Sequence, residues 1–149
     1  MYSEDYVRET TALGSVQKAM ASVNGDADLA NLARSHEAKI RAAVAEAPQT
    51  PLTTLLILAS DEAPTVRAGV ARNPRADLPV EVRENLARDK SIEVQFGLLK
   101  CPTLPESVLV RLGKSGARDV AAAAKQRMKT RKTSGGAQPV FGQVGFASS

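Results

Sequence analysis

Thr50-Pro51-Leu52-Thr53-Thr54-Leu55-Leu56-Ile57-Leu58-Ala59-Ser60-Asp61 runs directly into Glu62-Ala63-Pro64-Thr65-Val66-Arg67-Ala68-Gly69-Val70-Ala71-Arg72-Asn73-Pro74. The stretch reads as two short helices. Thr50 before Pro51 is a helix start: a hydroxyl that can cap, then a residue whose missing N–H costs nothing in a first turn. Leu52, Leu55, Leu56 and Ala59 fall at i, i+3, i+4 and i+7 and share one face. Asp61 and Pro64 mark a turn and a second start. Val66, Gly69, Val70 and Asn73 repeat the spacing, and Pro74 stops the helix by forcing its predecessor out of helical dihedrals.

The same grammar recurs along the chain. Leu-Ala/Gly-x-Asp/Ser-x4-Ile/Val begins at Leu32, Leu58, Leu86 and Leu112, at steps of 26, 28 and 26 residues. Asp77-Leu78-Pro79 and Thr103-Leu104-Pro105 open first helices at matching places, with Thr103 and Glu106 spaced as a capping box. Second helices are expected over 38–46, 64–72, 92–100 and 117–130. Pro48, Pro74 and Pro102 close the first three; Met128 stands at the fourth position, so that helix can run on to Lys132. A unit this short cannot bury its own apolar face, so its neighbours must cover it, and the predicted architecture is an all-α solenoid of about four two-helix repeats. Residues 4–22 read as one helix, so residues 1–25 are expected to cap the repeat domain of 26–132. A flexible tail, 133–149, follows: Thr133-Ser134-Gly135-Gly136 has linker composition. Phe141 and Phe146 in that tail either fold back on the repeats, dock into a partner, or are incidental to a disordered end.

Composition agrees with helix-on-helix packing. Of 149 residues 43% are hydrophobic, yet aromatics are 3% and Trp is absent, so the core must be Ala, Leu and Val. One cysteine, Cys101, provides no disulfide framework or multi-cysteine metal site. Glu4, Asp5 and Glu9 stand where a secretory signal needs a basic region, and the apolar run Leu55 to Ala59 is too short to span a bilayer. A cytoplasmic protein without membrane insertion is expected. Net charge is +4, but residues 1–102 carry −2 and residues 103–149 carry +6. That basic third, densest from Lys114 to Lys132, either attracts an anionic partner or simply offsets helix dipoles and aids solubility.

Val66-Arg67-x-x-Val70-Ala71-x-Asn73-Pro74 after Leu58-Ala59-x-Asp61 resembles the leucine-rich repeat variant family, as does Ile40-Arg41-x-x-Val44-Ala45-x-x-Pro48 after Leu32-Ala33-x-Ser35. Gln95 and Ala121 replace the arginine in the third and fourth copies, and Cys101 replaces the asparagine. The resemblance covers residues 26 to about 128 and implies α-helices alternating with shorter, often 3₁₀-like, helices in a right-handed superhelix. The iron–sulfur cofactor of the family's founding member is not implied, because no cysteine precedes Cys101. No cofactor is expected.

Candidate site residues follow from charge and repeat position. Arg41 and Arg67 would align as a ladder that either holds phosphates or carboxylates, or pairs with the residue six places earlier (Ser35, Asp61). Asn73 is expected to satisfy backbone groups at the proline stop, and Cys101 to be a small buried hydrophobe. His36 between Ser35 and Glu37 is sequence adjacency and not a triad, and Gly113-Lys114-Ser115 lacks the earlier glycine of a phosphate loop. The expected function is therefore non-enzymatic: a scaffold binding a protein or peptide through its curved surface, and through Phe141 and Phe146. The alternative is nucleic-acid binding by Lys125, Arg127, Lys129, Arg131 and Lys132.

Overall fold

The computed structural model describes residues 14–75 and 77–132. These residues form nine helices and no strand. In chain order they are α1 (14–21), α2 (Asp26–Leu32), α3 (Ala38–Glu46), α4 (Leu52–Leu58), α5 (Pro64–Arg72), α6 (Val80–Ala87), α7 (Ile92–Leu99), α8 (Glu106–Leu112) and α9 (118–132). The expected second helices coincide with α3, α5, α7 and α9 to within two residues at each end. Residues 4–13 of the expected 4–22 helix and the whole 133–149 tail lie outside the described residues, and Ser22 is in the turn after α1.

Helix starts differ in detail from the expected capping. Pro51, Pro79 and Pro105 stand one place before the first helical residue, and no side chain caps α4, α6 or α8. Thr50 is buried and donates its hydroxyl to the Val44 carbonyl (2.6 Å), so it ties α4 back to α3. Thr103 makes no capping box; its hydroxyl lies 3.6 Å from the Cys101 sulfur. The proline ring already fixes the entry φ, which leaves these hydroxyls available for tertiary contacts.

All helices among the described residues are α-helical, against the implied 3₁₀ alternation. Three-residue bonds appear instead at the ends of α2, α4, α6 and α8. The amides of Ser35, Asp61, Asp89 and Ser115 donate to Leu32, Leu58, Leu86 and Leu112, each at 3.0–3.1 Å. This tightened last turn brings every fourth residue of the Leu-x-x-Asp/Ser motif to the same place.

Packing follows two rows. α5 lies between α3 and α7, while α6 packs on α7 and α8. Glycine sets the closeness of the first row. A Cβ on Gly69 would fall 2.9 Å from the Ala42 carbonyl oxygen and 2.9 Å from the Ala45 Cβ; one on Gly97 would fall 3.0 Å from the Ala68 oxygen and 3.1 Å from the Ala71 Cβ. The backbones thus meet without intervening side chains. Val44, Val66, Val70, Val94, Leu98, Val108, Leu112 and Val120 form one continuous core without solvent exposure beyond 1%. On α4 the buried stripe is Thr54, Leu55 and Leu58, and Leu56 turns outward at 40% exposure, contrary to the face expected for it.

Candidate functional site

The motif positions form a line of hydrogen-bonded rungs. Arg41 on α3 donates from Nη1 to the Ser35 carbonyl (2.8 Å), six residues earlier, and from Nε and Nη2 to the Asp61 carboxylate (2.9 and 3.1 Å), twenty residues later. Arg67 on α5 repeats this with the Asp61 carbonyl (2.8 Å) and the Asp89 carboxylate (2.7 and 3.1 Å). The residue six places back therefore supplies only its carbonyl, and the acid comes from the following helix pair. Each carboxylate or hydroxyl also accepts the amide two residues on: Asp61 from Ala63, Asp89 from Ser91, and Ser115 from Ala117. One aspartate thus holds the start of its own helix and the arginine of the preceding one.

The next rung is neutral. Gln95 stands where the arginine would be and donates Nε2 to the Asp89 carbonyl (2.7 Å), as Arg67 does to Asp61. Ser115 stands in place of the aspartate and donates its hydroxyl to Gln95 Oε1 (2.6 Å). Arginine with aspartate has changed to glutamine with serine, and the rung persists. The position after Gln95 is Ala121, and the line stops there.

These pairs are largely shielded, with side-chain exposures of 12% and 12% for Arg41–Asp61 and 20% and 12% for Arg67–Asp89. Burial alone would raise the Asp61 carboxyl. Hydrogen bonds from Arg41 and the Ala63 amide, with the charges of Arg41 and Arg67, outweigh it and hold the group below its ordinary value. Asp89 is held down in the same way by Arg67 and the Ser91 amide. The partnered guanidiniums of Arg41 and Arg67 are raised, chiefly by the hydrogen bonds to these carboxylates.

A second line lies at the stop positions. Buried Asn73 donates Nδ2 to the Ala45 and Ala47 carbonyls (2.7 and 3.0 Å) and accepts the Arg75 amide past Pro74. It satisfies backbone groups as expected, but those of the preceding helix pair as well as its own stop. Arg127 does the corresponding job on α9, donating to Leu99 O (2.6 Å) and to Cys101 O. Burial, with the like charge of Arg131 beside it, pushes the Arg127 pKa down. Arg131 reaches the Leu104 carbonyl (2.9 Å). Lys125, Lys129 and Lys132 are exposed. Phe141 and Phe146 lie outside the described residues.

Sequence reasoning missed Arg83, which is 2% exposed. It donates Nη1 to the Cys101 sulfur (3.1 Å) and the Thr103 carbonyl (3.3 Å), and Nη2 to the Arg75 carbonyl, while its buried Nε has no partner among the described residues. The signal was available: Arg83 occupies the repeat position of Leu29, Leu55 and Leu109, all buried. Cys101 is buried as expected, but it serves as a hydrogen-bond acceptor too.

Two clefts open between consecutive first helices. One, of about 150 Å³ between α4 and α6, is edged by Leu56, Ala59, Val82 and Leu86, with Ser60, Asn85 and Asp89 beside them. The other, of about 410 Å³ between α6 and α8, is lined by Arg88, Arg111 and Lys114 together with Gln95 and Ser115. Ile57 and Val110 stand exposed on α4 and α8, at 72% and 41%. No group of three or more metal-ligating side chains occurs among the described residues, and no helix there is long and apolar enough to cross a membrane. Compared with protein families, curated proteins and solved structures, the chain gives no match to any of the three.

Proposed function

We propose that the helices form a short α-solenoid of about four two-helix units, and that it is a non-enzymatic scaffold that holds a peptide segment of a protein partner. The observation that carries this is the pair of clefts at equivalent places on the row α4, α6 and α8. Clefts repeating at the pitch of the helix pairs suit an extended chain, because successive side chains of one ligand can enter successive junctions. The exposed Leu56 at the smaller cleft, with the exposed Ile57 next to it on α4, supplies an apolar contact. Support also comes from the motif arginines: Arg41 and Arg67 are engaged with carboxylates of the neighbouring pair, so they join units and are not ligand groups. Nucleic acid is the competing partner, but Arg127 and Arg131, two of the five cations expected to form a phosphate track, reach backbone carbonyls.

The test is selection of peptides from a displayed random library, with binding then measured on the double variant Leu56→Asp, Ile57→Asp. Enriched sequences that lose at least tenfold in affinity on that variant support the reading. Failure to enrich any peptide refutes it, as does selective binding of a mixed oligonucleotide pool that Lys125→Gln, Lys129→Gln and Lys132→Gln abolish.

A further inference from the structure

The two clefts occupy equivalent places, yet differ in size and charge. In the smaller, the rung alongside is Arg67–Asp89, and the Asp89 carboxylate lines the wall. In the larger, the rung is Gln95–Ser115, shorter and uncharged, and no carboxylate lines the cavity. The larger cleft therefore lacks the acidic residue that stands at the smaller one, where Arg67 pairs with it.

Two of the larger cleft's cations have uncharged counterparts at the smaller cleft. Register places Arg88 where the smaller cleft has Ser60, Arg111 where it has Asn85, and Lys114 at the place corresponding to Arg88 itself. All three cations stand at the C-terminal ends of α6 and α8, where positive charge also offsets the helix dipole, but Ser60 at the end of α4 shows that a cation is not required at that place. Among the described residues Arg88, Arg111 and Lys114 form no ion pair or side-chain hydrogen bond with the protein. Three like charges facing one cavity repel one another, an arrangement relieved by an anion.

We propose that this cleft is the seat for a phosphorylated side chain of the peptide partner. The proposal deepens the scaffold reading and rests on it. Two guanidiniums present forked donors to tetrahedral oxyanions, and three positive charges match a dianion better than a single carboxylate. The volume of about 410 Å³ accommodates a phosphorylated serine or threonine with its adjoining backbone. No aromatic ring lines the walls, so a nucleobase would find no stacking platform.

The decisive variant rebuilds the other junction: Gln95→Arg with Ser115→Asp, which restores the rung seen at Arg67–Asp89. Arg111→Gln removes one cation without touching the rung. Fluorescence anisotropy at low salt would follow a labelled phosphoserine peptide, its unphosphorylated form, its glutamate form and a single-stranded oligonucleotide. The expected result is selective binding of the phosphopeptide by the wild-type chain, weakened at least tenfold in both variants while thermal melts stay cooperative. Absence of phosphopeptide binding overturns the proposal, as does equal binding of the glutamate peptide or the oligonucleotide. Binding that both variants leave unchanged overturns it too. If the displayed-library peptides still require Leu56 and Ile57 in that case, the scaffold reading stands and only the phosphate seat falls.

Discussion

Replacing Arg67 by Gln and Asp89 by Ser, singly and together, converts a charged rung into the neutral one already present at Gln95 and Ser115. Asp89→Ser removes two hydrogen bonds from Arg67, at 2.7 and 3.1 Å, but keeps an oxygen for the Ser91 amide. Each lost bond carries a charged partner, and the pair is only 20% and 12% exposed, so water compensates partly. The single change should cost roughly 2 kcal/mol. Arg67→Gln keeps a donor for the Asp61 carbonyl but strands the Asp89 carboxylate, at a similar cost of roughly 2 kcal/mol. In the double variant the serine hydroxyl can donate to the glutamine oxygen, as Ser115 does to Gln95 at 2.6 Å. Its total cost should again be about 2 kcal/mol, a coupling of about 2 kcal/mol between the two sites. Urea unfolding of the four proteins measures this directly. Strict additivity of the single changes would refute the rung as a unit.

Gly69→Ala forces a Cβ to 2.9 Å from both the Ala42 oxygen and the Ala45 Cβ, so α3 and α5 must part; a loss of about 2 kcal/mol is expected despite alanine's better helix propensity. Gly97→Ala, at 3.0 and 3.1 Å, should cost less, and thermal melts of the two variants give the order. Asn73→Ala leaves the Ala45 and Ala47 carbonyls without their side-chain donor in a buried site, for a loss of roughly 2–3 kcal/mol by denaturant titration. Asp61 and Asp89 are held below their ordinary pKa in the fold, so their contribution is complete above the unfolded value of about 3.9 and is lost as pH falls toward the folded values. Melting temperature should therefore drop steeply below about pH 4, and less steeply in the Arg67→Gln, Asp89→Ser double variant.

Helix positions were legible because period and punctuation act locally: Pro64 opens α5, Pro74 follows its end, and Val66, Gly69, Val70 and Asn73 share its buried side. The arginine partners were not. Six residues separate Asp61 from Arg67 in sequence, but the carboxylate that meets Arg67 is Asp89, brought there by how one helix pair lies on the next. Local spacing carries no information about that offset. Leu56 was misplaced for a related reason, since a helix apolar at Leu52, Leu55, Leu56, Ile57 and Leu58, five of its seven positions, leaves its direction open until its neighbours fix it. Arg127 read as a ligand cation by composition, and only the structure shows its guanidinium on the Leu99 and Cys101 carbonyls. The large cleft was invisible for the opposite reason. Its cations come from the C-cap of α6, from α8 and from the turn after α8, none notable alone.

Mutual support between adjacent helix pairs is the claim on which the scaffold and its clefts depend. Hydrogen–deuterium exchange of the wild-type chain and of Asp89→Ser tests it most directly, since Asp89 lies at one junction. The account predicts slowest exchange in α3, α5 and α7, with protection falling together in all three when that junction is weakened. Loss of protection confined to α6 and α7, with α3 and α5 unchanged, would contradict it.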